Sequence, residues 1–534
     1  MSEQATARYT NDFLREVEKN VEEGHWVKMC MQCGVCAGSC PLGSAWAHPP
    51  QEIFMMIRAG KREEVLTSDS MWMCTSCYNC MVRCPRQLPI THIMHGLANY
   101  AHRLGLSPKG QPTQATATLF WNNLIKKGRV NELTFSLALY FKDGFVQGIK
   151  NALNMQAVGL GLMKAKRLNP MEILGGHAVK DQAGLKAMIA KAREIEDRKK
   201  ASQNNSDRAV GRPSGRQRRP IKRRRRAKAR PTWREQMAKK EYAFYPGCSS
   251  QKGASASNYL TSVNAMCDKL DVTITEIPDW NCCGASIGYA EGGELPRLAL
   301  SARNFALAEQ HLPGKEMVAT CAACWLAQRE VKDRIDHNEV LLKETNEALA
   351  AAGLQYQGTT PVRHMVEVLI EDLGYDALKQ PVVKPLEGIK FAGYVGCQTN
   401  RPFGIDGESF ENPVYLDKLV ETVGGEAVPY DQKVTCCGGA LAFSEPEKSQ
   451  KQIRDIVESA YDHGAEMIVT PCPLCQANVE IYQSEINKKH GTKLNMPVLY
   501  YSQLMTVAYG GTAKEAGLDG HLIRATKLED ITKK

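Results

Sequence analysis

Apolar and polar positions divide the chain into a helical front and an α/β back. Phe13, Leu14, Val17 and Val21 fall on one helical stripe within residues 11–23, and the pattern stops at Gly24, which predicts a helix capped there. Gln51–Gly60 repeats the helical period, and 92–199 keeps it, with Ile93, Leu97, Tyr100 and Ala101 on one face. A further stripe of Leu133, Leu137, Tyr140, Phe141 and Phe145 is expected to pack into the core of this part, its other use being to dock on a partner or a membrane. Residues 180–200 are charged along one face, as a solvated helix would be. After Glu241 the rhythm changes. Short apolar runs at 242–245, 272–277 and 317–320 alternate with helical stretches at 256–270 and 295–310, and equivalent runs return at 391–394 and 467–470. Such alternation predicts parallel sheets with helical crossovers.

At 534 residues the chain is too long for one core and should divide into about three or four domains. No apolar run approaches the roughly 20 residues of a membrane helix. The N-terminal residues lack a basic and then apolar leader, so a cytoplasmic location is expected. The net charge of +10 comes from one place, because residues 212–230 hold eleven Lys or Arg and no acid. That tract lies in a polar stretch at 200–240 expected to be a disordered tether. Contact with anionic lipid is its alternative use, and without a recognition helix or stacking aromatics it implies no specific nucleic acid.

Nineteen cysteines in a compartment that keeps thiols reduced point to metal ligation. Eight form two runs of one spacing, Cys30-x2-Cys33-x2-Cys36-x3-Cys40-Pro41 and Cys74-x2-Cys77-x2-Cys80-x3-Cys84-Pro85. This spacing resembles that of two-cluster bacterial ferredoxins, in which three cysteines of a run hold one cubane [4Fe–4S] cluster and the fourth reaches the other. The resemblance implies one cluster on Cys30, Cys33, Cys36 and Cys84, and another on Cys74, Cys77, Cys80 and Cys40. Structural zinc explains a single CxxC pair but not this double pattern.

Ten more cysteines form a phrase written twice. Cys248, Cys282-Cys283-Gly284, Cys321 and Cys324 are followed by Cys397, Cys436-Cys437-Gly438, Cys472 and Cys475, at offsets of 149, 154 and 151 residues. The flanks repeat too, Tyr245-Pro246-Gly247 against Tyr394-Val395-Gly396. Each set falls at expected strand ends, where open α/β sheets place ligands. Five thiolates are one more than a cubane cluster or tetrahedral zinc needs.

These paired Cys-Cys-Gly motifs resemble the catalytic subunit of heterodisulfide reductase, and the first 200 residues resemble its small iron–sulfur subunit. The resemblance implies a multidomain chain: an N-terminal α-helical two-cluster ferredoxin domain (1–110), a helical extension (111–199), the basic linker (200–240) and two duplicated α/β CCG domains (241–380 and 381–534). It implies two cubane and two non-cubane [4Fe–4S] clusters, the non-cubane pair held by the ten duplicated cysteines, which are the catalytic residues. Within the family, Tyr242–Gly253 and Met496–Gly510 look most similar to the proteins of sulfur-oxidising bacteria, which implies a carrier-bound sulfur compound, or a thiol or disulfide, as substrate. No GxGxxG follows a strand, no GxxxxGK[ST] occurs and no CxxC precedes His, so flavin, nucleotide and covalent haem belong elsewhere. The resemblance therefore implies a flavin-containing partner in a multisubunit complex. An electron-transfer subunit feeding a quinone, of the succinate dehydrogenase or fumarate reductase kind, and a zinc-stabilised scaffold are the other classes weighed.

Among lesser candidates, Lys252 and Arg401 stand four residues after the first cysteine of each repeat and are candidates to bind an anionic thiol, with an ordinary surface role expected first. His364 and His311 are candidates to protonate a thiolate, with a structural role expected first. Cys267 is expected to be a small buried residue, and Trp280 to screen Cys282 and Cys283 from water.

Overall fold

The structure is a computed structural model that describes residues 12–168, 178–205, 240–285 and 287–534; the basic tract at 212–230 lies outside the described residues. Two four-stranded parallel sheets form the back. The first contains β1 (Lys240–Tyr245), β2 (Val272–Glu276), β3 (Met317–Ala319) and β4 (Val362–His364), in the order β2-β1-β3-β4. The second contains β5 (Lys390–Gly393), β6 (Glu426–Ala427), β7 (Met467–Thr470) and β8 (Val498–Tyr500), in the order β6-β5-β7-β8. Register repeats as well, since Ala243 pairs with Met317 and Phe391 with Met467. The duplication extends to strand ends: His364 and Tyr500 each close the last strand of their sheet and cap the next helix through a capping box with Glu367 or Gln503.

Helices Ser257–Lys269 and Glu294–His311 make the crossovers of the first lobe, and Tyr415–Thr422 and Pro446–Asp462 those of the second. In each sheet the strand order reverses between the two central strands, which opens a crevice at their carboxyl ends. The lobes are sealed together by Tyr259 stacked on Tyr500 at 4.0 Å, and by Ser262 hydrogen-bonded to Ser502 at 2.7 Å. The hydroxyl of Tyr259 also donates to the Thr320 and Pro471 carbonyls, one just before each CxxC.

The front is helical. Phe13, Val17, Ile53, Ile57, Ile93 and Leu97 are buried together beneath the two cysteine runs. Helix Phe13–Asn20 stops short of the expected Gly24, because Val21 turns into this core with extended backbone and Glu23, not the glycine, takes the left-handed conformation. Helices Pro112–Lys127 and Gln182–Asn205 share a core with the first lobe, Trp121, Leu124, Leu185 and Met188 packing with Leu298 and Phe305. The outer side of Gln182–Asn205 carries the expected charges, with Arg198 and Lys199 paired to Glu347 and Glu344.

The apolar stripe expected to fill a core does not do so. Helix Glu132–Tyr140 buries Phe135 and Leu139 instead, which leaves Leu137, Phe141 and Phe145 exposed and Leu133 and Tyr140 half-buried. The helix is rotated because Phe135 packs edge-on against both Phe120 and Phe443, at 5.8 Å each. Among the described residues no helix is long and apolar enough to cross a membrane.

Candidate functional site

Each cysteine run of the front forms a loop followed by a one-turn helix, Val35–Gly38 or Asn79–Val82. In both loops the second and fourth residues after the first cysteine are left-handed, Gln32 and Gly34 in one and Ser76 and Tyr78 in the other. Such curls turn successive amides toward a common centre, as an anionic cluster requires. The fourth cysteine of each run crosses over. Cys30 lies within electrostatic reach of Cys33 and Cys84, and Cys36 of Cys30 and Cys33, whereas Cys74 and Cys80 have Cys77 and Cys40 as neighbours. The first group reaches the surface through exposed Cys33. The second encloses a cavity that Cys36, Cys40, Cys74, Cys77 and Cys80 line with Thr75 and Trp46.

Burial pushes the Cys36 and Cys77 thiols up to about 11 and those of Cys74 and Cys80 higher still. A buried group of thiols that resists ionisation alone is stabilised as thiolates by a metal. Donors already point at the sulfurs: Gln32 Nε2 lies 3.3 Å from Cys30 Sγ, and Trp46 Nε1 lies 3.2 Å from Cys40 Sγ. Hydrogen bonds to cluster sulfurs raise reduction potential. Trp46→Phe should therefore lower the potential of the inner front cluster by roughly 20–60 mV, the one-electron equivalent of a net hydrogen bond of about 0.5–1.5 kcal/mol. A redox titration followed by electron paramagnetic resonance reads this directly, and an unchanged or higher potential would refute it.

In the back, the ten duplicated cysteines gather at the two crevices. Cys248 follows β1 and Cys321 follows β3; Cys397 follows β5 and Cys472 follows β7. In the first set Cys248 and Cys282 lie within electrostatic reach of each other, Cys283 lies 3.6 Å from Cys324, and Cys324 reaches Cys321. The second set lines one cavity with all five sulfurs, Cys397, Cys436, Cys437, Cys472 and Cys475. The glycine before each first cysteine is required by this closeness. Gly247 and Gly396 have φ of +77° and +74°, and a Cβ there would sit 2.8 Å from Cys324 Sγ or 3.1 Å from Cys475 Sγ. Five soft sulfur donors, which in the second set line one cavity, fit an iron–sulfur cluster, and they exceed what zinc takes.

Two contacts join the groups into a line. The Cys77 side chain packs against Cys397 and Cys436, so the inner front group touches the second lobe's set. Thr75 lines both cavities and hydrogen-bonds Cys436. Across the lobes, Cys321 and Cys472 lie within electrostatic reach of each other, and Ala322 beside Cys321 packs with Cys472, so the two five-cysteine sets meet. Hydrogen bonds from Cys324 and Cys472 hold Cys321 well below the ordinary thiol range, and a bond from Cys397, helped by the Gly438 amide, brings Cys436 down to about 7. Thr75 was invisible in the sequence, where nothing distinguishes it from any residue between two cysteines.

The lesser candidates divide differently. Arg401 is buried and donates to the Cys77 carbonyl at 3.1 Å, to the Val434 carbonyl at 2.6 Å and to Asn79 Oδ1. It staples the front to the second lobe. Lys252 and His311 are exposed. His364 is buried, donates from Nε2 to the Thr320 carbonyl at 2.9 Å, accepts from the Val366 amide and is held at about 4 by burial, so its role is structural. Cys267 is buried, as expected. Trp280 is fully buried, edge-on to Tyr245 at 5.2 Å and covered by the Arg129 guanidinium at 4.0 Å, a closed lid beside Cys282.

Comparison with known proteins agrees with this division. Residues 26–88 match the 4Fe-4S dicluster domain, and residues 242–327 and 391–480 both match the Cysteine-rich domain. Over 291 residues the chain is 37% identical to the 8-methylmenaquinol:fumarate reductase membrane anchor subunit of Wolinella succinogenes, covering 54% of this chain and 99% of that one. It is 31% identical over 260 residues to a subunit of the ferredoxin/F(420)H(2)-dependent CoB-CoM heterodisulfide reductase of Methanosarcina acetivorans, covering 48% of this chain and 85% of that one. It is 43% identical over 122 residues to an iron-sulfur subunit of the CoB–CoM heterodisulfide reductase of Methanocaldococcus jannaschii, covering 23% of this chain and 65% of that one.

Proposed function

This chain belongs to the heterodisulfide reductase family, joining in one polypeptide a dicluster part like the family's iron–sulfur subunit and a pair of cysteine-rich domains like those of a second subunit, and on that premise we propose that it opens or forms a disulfide between its two five-cysteine sets. The observation that carries the proposal is the Cys321–Cys472 contact, which sets two complete thiol groups face to face across the lobe seam. In the reductive direction two electrons and two protons convert one disulfide into two thiols; in the oxidative direction the same quantities leave, as suits a thiol or carrier-bound sulfur substrate. Iron–sulfur clusters, when bound, supply single-electron exchange and, with a five-thiolate set, an iron whose ligation can change.

The chain's own residues do the rest. Cys30, Cys33, Cys36 and Cys84 would hold a cubane cluster at the surface, where a flavin-containing partner can reach it. Cys40, Cys74, Cys77 and Cys80 would hold a second, and each five-cysteine set a non-cubane one. Thr75 and Cys77 keep the inner front group in van der Waals reach of the second lobe's set. Trp280 and Tyr245 close the first set from the back.

The extent of the match to a fumarate reductase anchor subunit supports a second reading, in which electrons pass through to a quinone and no disulfide is touched. Metal analysis and electron paramagnetic resonance under anaerobic conditions separate the two. The disulfide reading expects about 16 iron per chain, two four-iron clusters in the front and two in the back, and an oxidised-state signal that changes on adding thiol. About 8 iron with no thiol-sensitive signal would sink it, and turnover that needs a quinone but ignores disulfides would favour the second reading.

A further inference from the structure

Two short helices, Phe145–Asn154 and Gln156–Lys164, stand on the outside of the molecule with their apolar face outward. Phe145, Val146 and Leu153 are 74%, 69% and 60% exposed, and Ile149, Leu160 and Met163 continue the same surface. On the first helix the exposed residues recur at helical spacing, so they form one stripe rather than scattered positions. A face of this kind normally turns into a core, but here it is held away from one. Arg167, just beyond the second helix, is completely buried and donates to Glu480 at 3.0 Å, to Gln476 at 2.8 Å and to the Gly520 carbonyl at 3.2 Å. At the other end Phe135 is locked between Phe120 and Phe443. Both ends being fixed to the body, the pair cannot roll its apolar side inward.

Charge indicates what covers it. Residues 144–166 contain three lysines, Lys150, Lys164 and Lys166, and no acid. All three are exposed, and none pairs with a carboxylate among the described residues; Asp143, just before the first helix, is taken up by Lys142 at 2.6 Å. A protein interface would be expected to add arginine anchors and charges of both signs, and residues 144–166 hold neither arginine nor acid. Exposed aliphatic and phenyl groups in a segment whose only charged residues are lysines match an interfacial amphipathic helix, its apolar side at the acyl boundary and its ammonium groups among anionic headgroups. We propose that this helix pair seats the protein on the surface of an anionic lipid bilayer, without crossing it. The proposal is independent of the disulfide chemistry.

Flotation of the full, iron-loaded chain with vesicles tests it, using phosphatidylcholine alone and phosphatidylcholine mixed with phosphatidylglycerol. Binding is expected on the mixed vesicles and only weakly on phosphatidylcholine. Phe145→Ser, Val146→Ser and Leu153→Ser combined, and separately Lys150→Glu, Lys164→Glu and Lys166→Glu combined, should each lower the bound fraction about tenfold or more. Iron content and far-ultraviolet circular dichroism should stay unchanged, since these side chains support no core. A chain without residues 212–230 should still bind. The proposal is overturned if the wild-type chain stays in solution, or if both combined variants float as it does while the deletion does not. It is also overturned if sedimentation shows the apolar face joining two copies of the chain and no vesicle binding accompanies it.

Discussion

Cys321→Ala and Cys472→Ala should each lower disulfide turnover by about 10³-fold or more, and the double variant should lose little beyond either single one. The expectation comes from where the two thiols sit. Each opens the CxxC of its own lobe, yet across the seam they are close neighbours. A disulfide handled between the two sets needs both at once, so the residues act as one unit and their losses do not multiply. If each lobe worked alone, the remaining lobe would sustain turnover in either single variant and only the double would be inactive. The measurement is anaerobic reduction of a disulfide by reduced viologen. As a control, stoichiometric reduction of the front clusters by reduced viologen should be unchanged, because Cys30, Cys33, Cys36 and Cys84 lie at the far end of the line. Single variants that keep activity within about tenfold of wild type would remove the shared site. Replacement by alanine rather than serine matters, since a serine oxygen can still ligate iron.

Much of this site was legible before any coordinates, and the limit of that legibility has a physical basis. Ligand spacing is a local property. A loop that wraps a cluster must present cysteines at short, fixed intervals, so the two runs of the front and the two phrases of the back stood out. The strand ends carrying them did too, because apolar runs such as Met317–Thr320 and Met467–Thr470 stop just before a cysteine. The glycines at 247 and 396 repeat for a reason the sequence conceals, the approach of a sulfur from the CxxC after a neighbouring strand. Contacts between separately folded parts leave no such trace. Nothing local marks Cys77 as the neighbour of Cys397 and Cys436, or Thr75 as the wall between two cavities. The contacts of Arg401 were hidden for the same reason. Its distance from Cys397 suggested a substrate anchor, whereas the carbonyls it bonds belong partly to a loop more than 300 residues away. The apolar stripe around Leu137 and Phe141 failed differently. Periodicity shows that a helix has an apolar side but not what that side meets, and here the rotation imposed by Phe135 decided it.

The seam between the front and the first lobe offers the second large effect, on stability. Glu22, two residues past helix Phe13–Asn20, and Glu330, from helix Ala322–Asp336, are both buried there with the side chains of Arg297 and Arg334. Arg297 donates to Glu330 at 3.0 Å and to Glu22 at 3.1 Å, Arg334 reaches Glu22 and Glu294, and Tyr78 and Tyr289 donate to Glu330 at 3.2 Å and 3.1 Å. Burial opposes ionisation of Glu330, yet His92 and the two guanidiniums outweigh it and hold the carboxyl down at about 2. Glu22, His92 and Glu330 have the reach to grip a cation, but Arg297 and Arg334 already supply the positive charge. Removing one partner leaves an uncompensated charge with no access to water. Glu330→Ala should therefore destabilise the seam by about 3–5 kcal/mol, whereas Glu330→Leu with Arg297→Met, which removes an opposed pair and keeps the volume, should recover most of that loss. Amide exchange in helices Ile90–Arg103 and Ala322–Asp336, one from each side of the seam, reads the change locally. The single variant is expected to speed exchange in both, and the double to return it toward the wild-type rate. Losses that simply add would show that the four charges are independent surface-like pairs and that something else holds the front to the first lobe.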